Sequence, residues 1–238
     1  MKQNYVLQKY YEKYLKEVRK LSESSVSHYN QALKTISRFL VEDDKVTESI
    51  YEITDLDVLE NVKEYLNSNP EFVALDKRGH SMYSAGFNNY FRFASGEDFK
   101  NIKGSLTLLD TEAPVSEMTT REINARKRSS IIKNQVLEAA DFKCEINGSH
   151  ETFVAKSTGH QYMEGHHVIP IHKQIYFNNS LDVYANVICL CPICHRMLHY
   201  GLDRDRGILL NQIYYERSMR LANSGIKLTK NDFMKMAL

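Results

Sequence analysis

The chain has 238 residues, with 31 Lys+Arg against 30 Asp+Glu, 42% hydrophobic and 26% charged residues, a balance that excludes wholesale disorder and suits two modest domains or one large one. No apolar run approaches the ~20 residues of a membrane-spanning helix, and the charged opening segment lacks the apolar stretch of a secretory signal. Four Cys are too few for a disulfide scaffold, so a reducing, cytoplasmic setting is expected, with the Cys serving as buried thiols or metal ligands.

Tyr11, Tyr14, Leu15, Val18 and Leu21 recur at helical spacing and predict a first helix. Ser24 or Ser25 can cap a second, with Val26, Tyr29, Leu33, Ile36 and Leu40 facing inward. Thr54 or Asp55 can start a third, with Leu59, Val62, Tyr65 and Leu66 inward, and Asn67-Ser68-Asn69-Pro70 ends it. A fourth is expected from about Ser84 to Phe93, closed by Ser95-Gly96. This Tyr- and Phe-rich stripe reads as a helical core rather than a ligand site. From Gly96 to about Thr120 the periodicity fades, and Gly104, Pro114 and scattered Ser, Thr and Asp read as a linker. The basic run Arg121–Arg128 opens another helix, to about Ala140; it is a solvated face or a phosphate contact. The expected division is a helical accessory domain at 1–100, for substrate recognition or dimerisation, a linker at 101–120 and a second domain at 121–238.

In the second domain, Phe153–Lys156 and Gln161–His166 flank Ser157-Thr158-Gly159-His160, which predicts a hairpin. Val187–Leu190 reads as a strand leading into a short helix through His199 that stops at Gly201. Asn211 to Ser224 reads as a helix with Ile213, Tyr214, Met219 and Leu221 inward.

The chemistry concentrates in the same half. Residues 1–115 carry 15 Lys+Arg and 18 Asp+Glu, whereas residues 116–238 carry 16 and 12, together with seven of the nine His and all four Cys. That is where an anionic ligand or a metal is sought. Cys191-Pro192-Ile193-Cys194 is a C-x-x-C knuckle without the strand and helix context of a redox motif, and His195 follows at once. Two thiolates on a tight turn suit tetrahedral zinc, with Cys144 as the natural third ligand. A second Cys at position 147 would complete the common pattern, but that residue is Asn, and His150 is the nearest good replacement. Cys189 competes, yet its apolar setting reads as a buried thiol. A second constellation comprises Glu164, His166, His167 and Pro170, then Asn186, then His195 and His199, the last two on one helix face. Neighbours on a strand face opposite ways, so His166 and His167 can divide labour if the strand ends there and the backbone turns.

The words Tyr162-Met163-Glu164-Gly165-His166-His167-Val168-Ile169-Pro170, Ala185-Asn186-Val187-Ile188-Cys189-Leu190-Cys191-Pro192 and Cys194-His195-Arg196-Met197-Leu198-His199 resemble an HNH endonuclease domain of the ββα-metal fold. The resemblance is to the zinc-stapled variety seen in bacterial restriction and modified-base-dependent nucleases. It implies an α+β chain: an all-α N-terminal domain followed by a ββα-metal domain with structural zinc on Cys144, His150, Cys191 and Cys194. It implies a catalytic set of His167, Asn186 and His199, with His167 as general base and Asn186 fixing the loop that carries it. His166, His195 and His199 would hold a divalent ion such as Mg²⁺ or Mn²⁺. Glu164 is a second-sphere orienting group or a solvated carboxylate, and Arg196 a phosphate contact or an ordinary exposed Arg.

The resemblance implies a metal-dependent endonuclease on double-stranded DNA, in restriction or phage defence, with modified-base dependence and a homodimer as further expectations and no membrane role. The alternatives are a non-catalytic zinc module that binds nucleic acid, and a homing or mobile-element nuclease sharing the same chemistry.

Overall fold

The computed structural model describes residues 5–101, 104–115 and 128–237. Helix α1 (Val6–Lys13) runs into a π-helical turn at Tyr14–Val18, and together they bury Leu7, Tyr10, Tyr11, Tyr14 and Leu15. Helix α2 (Glu23–Glu42) turns Val26, Leu33, Ile36 and Leu40 inward and leaves Tyr29 half-buried. Its cap is Ser22 rather than Ser24 or Ser25: Ser22 has the extended backbone a cap requires, and its hydroxyl accepts the Ser25 N–H at 3.3 Å. Helix α3 (Leu56–Ser68) starts from Asp55, whose carboxylate accepts the N–H groups of Asp57 and Val58.

The stop signal after α3 is also a start signal. The Asn69 side chain accepts the N–H groups of Glu71 and Phe72, and Pro70 opens α4 (Pro70–Arg78), a helix absent from the sequence reading. Helix α5 (Met82–Ser95) ends at Gly96, whose φ of +77° and close approach to Gln135 and Glu138 suit only glycine.

Residues 104–113 pack onto the molecule instead of standing off as a linker. Helix α6 (Ser105–Leu109) buries Leu106 and Leu109, Ala113 follows them in, and buried Asp110 accepts from Arg220 at 2.6 Å. A five-residue helix leaves almost no periodic signature, which is why it reads as irregular. The remainder of the expected linker (102, 103 and 116–120) and the basic run at 121–127 lie outside the described residues.

Helix α7 (Ser130–Ala139), capped by Ser129, lies against α5 on one side and against strands β1 (Glu164–His167) and β2 (Val187–Leu190) on the other. Gln135 donates to the Phe93 carbonyl at 2.5 Å and accepts from the Tyr184 hydroxyl at 2.6 Å, and the Tyr10 and Tyr184 rings stack at 4.1 Å. One apolar core therefore runs from α1 through α7 to the sheet.

Strands β1 and β2 are antiparallel, with Glu164 opposite Leu190 and His167 opposite Val187. The expected hairpin reduces to a single bridge between Val154 and Gln161. The apolar strand β2, fully buried, takes the pairing edge of β1, while Phe153 and Val154 stay in solvent. Beyond β2 come α8 (Pro192–Tyr200), α9 (Asp203–Asn223) and α10 (Lys230–Ala237). Helix α9 begins well before Asn211, and its inward row is Leu210, Ile213, Arg217 and Leu221. Met219 falls on the opposite side of that row and is 76% exposed, against expectation. Among the described residues no helix is long and apolar enough to cross a membrane.

Candidate functional site

Cys191 is both a ligand candidate and the cap of α8, its sulfur accepting the Cys194 N–H at 3.4 Å. Cys144 lies on the turn after α7, and the next turn carries His150 in from the side. The Nδ1 atom of His150 is 3.5 Å from Cys191 Sγ and 3.4 Å from Cys194 Sγ, and the four donor atoms, Cys144 included, lie within 4.8 Å of one another. Zinc bonds of about 2.3 Å to sulfur and 2.05 Å to nitrogen, arranged tetrahedrally, put sulfur and nitrogen about 3.5 Å apart, so the spacing fits the ion. Burial pushes the Cys144 thiol up, but backbone N–H groups of Cys191, Asn147 and Ile146 outweigh it and bring the group down to about 7. This Cys/His cluster can hold zinc.

Asn147 stands away from the donors. Its Oδ1 accepts the N–H and hydroxyl of Ser149, and its carbonyl accepts the His150 N–H, so it shapes the turn that delivers His150. Cys189 is buried outside the cluster, and burial pushes its thiol up. Next to Cys144, the Glu145 carboxylate accepts the Cys189 N–H at 2.6 Å and the guanidinium of buried Arg217 at 2.5 Å. Arg217 also donates to the carbonyls of Tyr184, Ala185 and Val187. This strut, with no motif to announce it, locks the knuckle, β2 and α9 together.

The second cluster lies between β1 and α8. Glu164 and His166 alternate along β1 and share the face toward α8, where His195 and His199 stand one turn apart. The His166 ring is 4.9 Å from each of the other two, which are 4.8 Å apart, and the Nε2 atoms of His195 and His199 approach to 3.2 Å. Adjacent imidazole nitrogens on one divalent ion lie about 3.0–3.4 Å apart, so the triad fits a metal. Burial, reinforced by the His195 and His199 charges, holds His166 down at about 3, and burial followed by His195 and Arg196 lowers His199. Both shifts favour the neutral form of the ring, the form whose nitrogen lone pair can bind a metal. The Oε2 atom of Glu164 sits 2.5 Å from His195 Nδ1 and turns the other nitrogen of that ring toward the triad.

The other face of β1 carries Gly165 and His167. At Gly165 a side chain would collide with Lys133, its Cβ falling 2.4 Å from Lys133 Cγ, so glycine lets the lysine stem cross the strand. His167 is buried, and its Nε2 lies 2.8 Å from Oδ1 of Asp182, a residue that sequence reasoning missed because a lone Asp in a loop gives no signal. With the proton on Nε2, the Nδ1 lone pair is left free. Asn186 is fully buried. It donates to the carbonyls of Ile169 and Leu181 and accepts the Ile169 N–H at 2.8 Å, which clamps the segment after His167. Arg196 is exposed, its guanidinium 6.0 Å from the Tyr200 ring.

A strand pair and a helix, with a Cys/His cluster that can hold zinc beside a histidine triad, form a ββα unit. Residues 144–201 match the family described as HNH endonuclease, and this chain carries an HNH endonuclease domain there. It is also 36% identical over 87 residues to the type IV methyl-directed restriction enzyme EcoKMcrA of Escherichia coli (strain K12). That stretch covers 37% of this chain and 28% of the length of the enzyme. No solved structure matches.

Proposed function

We propose that the chain is a restriction-type endonuclease that hydrolyses phosphodiester bonds of duplex DNA and leaves 5′-phosphate and 3′-hydroxyl ends. The observation that carries this reading is the convergence of His166, His195 and His199 next to Glu164 inside the matched domain. A divalent ion such as Mg²⁺ or Mn²⁺ on those histidines would neutralise charge at the scissile phosphate and the leaving 3′ oxygen. His167 takes the proton of the attacking water at Nδ1, while Asp182 holds its Nε2–H and so selects the tautomer with a basic Nδ1. Asn186 keeps His167 in register by clamping the following segment. Glu164 orients His195, and Arg196 with Lys133 supplies positive charge for the flanking phosphates. The Cys144, His150, Cys191 and Cys194 cluster takes zinc as a structural staple for a unit with little core of its own.

The similarity to a methyl-directed restriction enzyme supports a preference for methylated DNA here as well. One triad per chain cuts one strand, so double-strand cutting calls for two copies, and a homodimer is the economical arrangement. The test is incubation of the pure protein with unmodified and cytosine-methylated duplex DNA in Mg²⁺ or Mn²⁺, with the ends mapped. Cleavage of the methylated DNA in preference supports the whole reading. Equal cleavage removes the methyl preference, and no cleavage with either ion removes the nuclease reading.

A further inference from the structure

Phe153 and Val154 are each 65% exposed on the turn that precedes β1. The Phe153 ring stacks on Tyr162, centroids 4.9 Å apart and planes within 14°, which leaves its outer face open to solvent. The turn does not need this ring to hold its shape. Thr152 N–H donates to Gln161 Oε1 at 2.9 Å, the Thr152 hydroxyl to the Tyr162 carbonyl at 3.0 Å, and Tyr162 N–H to the Phe153 carbonyl at 2.8 Å. Large apolar surface left in water next to a functional centre marks a contact site.

The stack is wired to the histidine triad. The Tyr162 hydroxyl donates to Glu164 Oε1 at 3.2 Å, and the other oxygen of that carboxylate holds His195. At His199 in the same triad, Tyr200 is 77% exposed, its ring 5.8 Å from the imidazole, with the Arg196 guanidinium beside it. Exposed aromatic rings and a cation are thus attached to the triad, Tyr162 through Glu164 and His195, and Tyr200 and Arg196 at His199.

We infer that Phe153 and Tyr162, together with Tyr200 and Arg196 at the triad, form a stacking platform for unpaired nucleobases of the DNA strand next to the scissile phosphate. This rests on the nuclease reading above. An aromatic face binds the π-face of a base, and in an intact duplex those faces are covered by neighbouring base pairs. A free ring face linked through Tyr162 and Glu164 to the triad therefore selects a locally opened strand: the backbone lies at the histidines while a displaced base continues the Phe153–Tyr162 stack. Arg196 adds cation attraction to the same strand.

The test uses the full chain and two DNAs, a paired duplex and the same duplex with a short central bubble carrying 2-aminopurine. Binding is followed by anisotropy without added divalent ion, and stacking by quenching of 2-aminopurine. Wild type is expected to favour the bubble and quench the probe. Phe153→Ala should weaken bubble binding on the order of tenfold and restore the fluorescence, with paired-duplex affinity unchanged, and Phe153→Trp should behave as wild type. Equal binding of both DNAs by wild type, or a Phe153→Ala protein that matches wild type on the bubble, overturns the platform. So does a Phe153→Ala protein whose only change is its mass in solution, which would make this face a contact between copies. Wild-type cleavage of paired duplex in Mn²⁺ tests the underlying reading separately: cleavage beside an inert Phe153→Ala change sinks the platform alone, whereas neither binding nor cleavage of either DNA sinks both.

Discussion

The Nε2 atom of His167 lies 2.8 Å from Oδ1 of Asp182, and the second oxygen of that carboxylate accepts the Ser129 N–H at 2.8 Å. Ser129 caps α7, and its hydroxyl donates to the Thr54 carbonyl at 3.1 Å. The orientation of one histidine is thereby tied, through one carboxylate, to the junction where α7 meets the segment preceding α3.

His167→Ala should slow DNA cleavage by ~10²–10⁴-fold while zinc content and DNA binding stay at wild-type levels. Asp182→Asn should also slow cleavage, because an amide can offer an N–H to Nε2 and favour the tautomer that lacks a basic Nδ1. Single-turnover cleavage with matched metal content is the measurement. A wild-type rate from His167→Ala would remove it as the base.

Zinc should bind at about one ion per chain, and His150→Ala should lower the zinc retained after dialysis, whereas Asn147→Ala should not. The Cys191→Ser/Cys194→Ser double variant should lose zinc and solubility together. Elemental analysis of the purified variants decides it, and loss of zinc from Asn147→Ala with full retention in His150→Ala would reassign the fourth ligand.

Glu164→Gln should weaken binding of the divalent ion at the histidine triad by roughly 10–100-fold, as loss of an orienting carboxylate does at metal sites. Titration of Mn²⁺ into zinc-loaded protein measures this directly, and unchanged Mn²⁺ affinity would make the carboxylate a bystander.

Arg217→Met should cost about 3–5 kcal/mol in urea unfolding, since it leaves half-buried Glu145 and the buried carbonyls of Tyr184, Ala185 and Val187 without their donor. A change within the error of the wild-type midpoint would show that the strut is dispensable.

Stability should fall at alkaline pH. Burial pushes the phenols of Tyr10, Tyr11, Tyr51, Tyr90 and Tyr184 well above their usual range, and burial, opposed by Arg19 and aided by Asp98, lifts Tyr14 to about 12. Raised folded-state values mean that the unfolded chain gives up these protons first. The contribution is complete below pH ~10 and is lost as pH rises through the folded-state values. Phenolate absorbance and circular dichroism should therefore change together in one steep step. Free titration of all tyrosines near pH 10 with the helices intact would contradict it.

Much of this molecule was legible from local signals. The apolar rows of α2 and α3, the Ser95-Gly96 stop and the Gly201 stop are written in adjacent residues, because a helix face and its caps are set within a few turns of chain. The donor types in Cys191-Pro192-Ile193-Cys194-His195 and His199 were legible for the same reason. Helices α4 and α6 were not, since short segments carry too few repeats to show a period. What depended on contacts distant in sequence was decided by the tertiary structure alone. β1 pairs with β2 and not with the Phe153 segment, because only β2 is apolar enough to be buried on both faces. His150 meets the three thiols because Asn147 bends the intervening turn. Asp182 reaches His167, and Arg217 reaches Glu145 across 72 positions, because folding brings those stretches of chain together and a largely buried polar group takes the partners in reach, the Ser129 N–H and the Tyr184, Ala185 and Val187 carbonyls included.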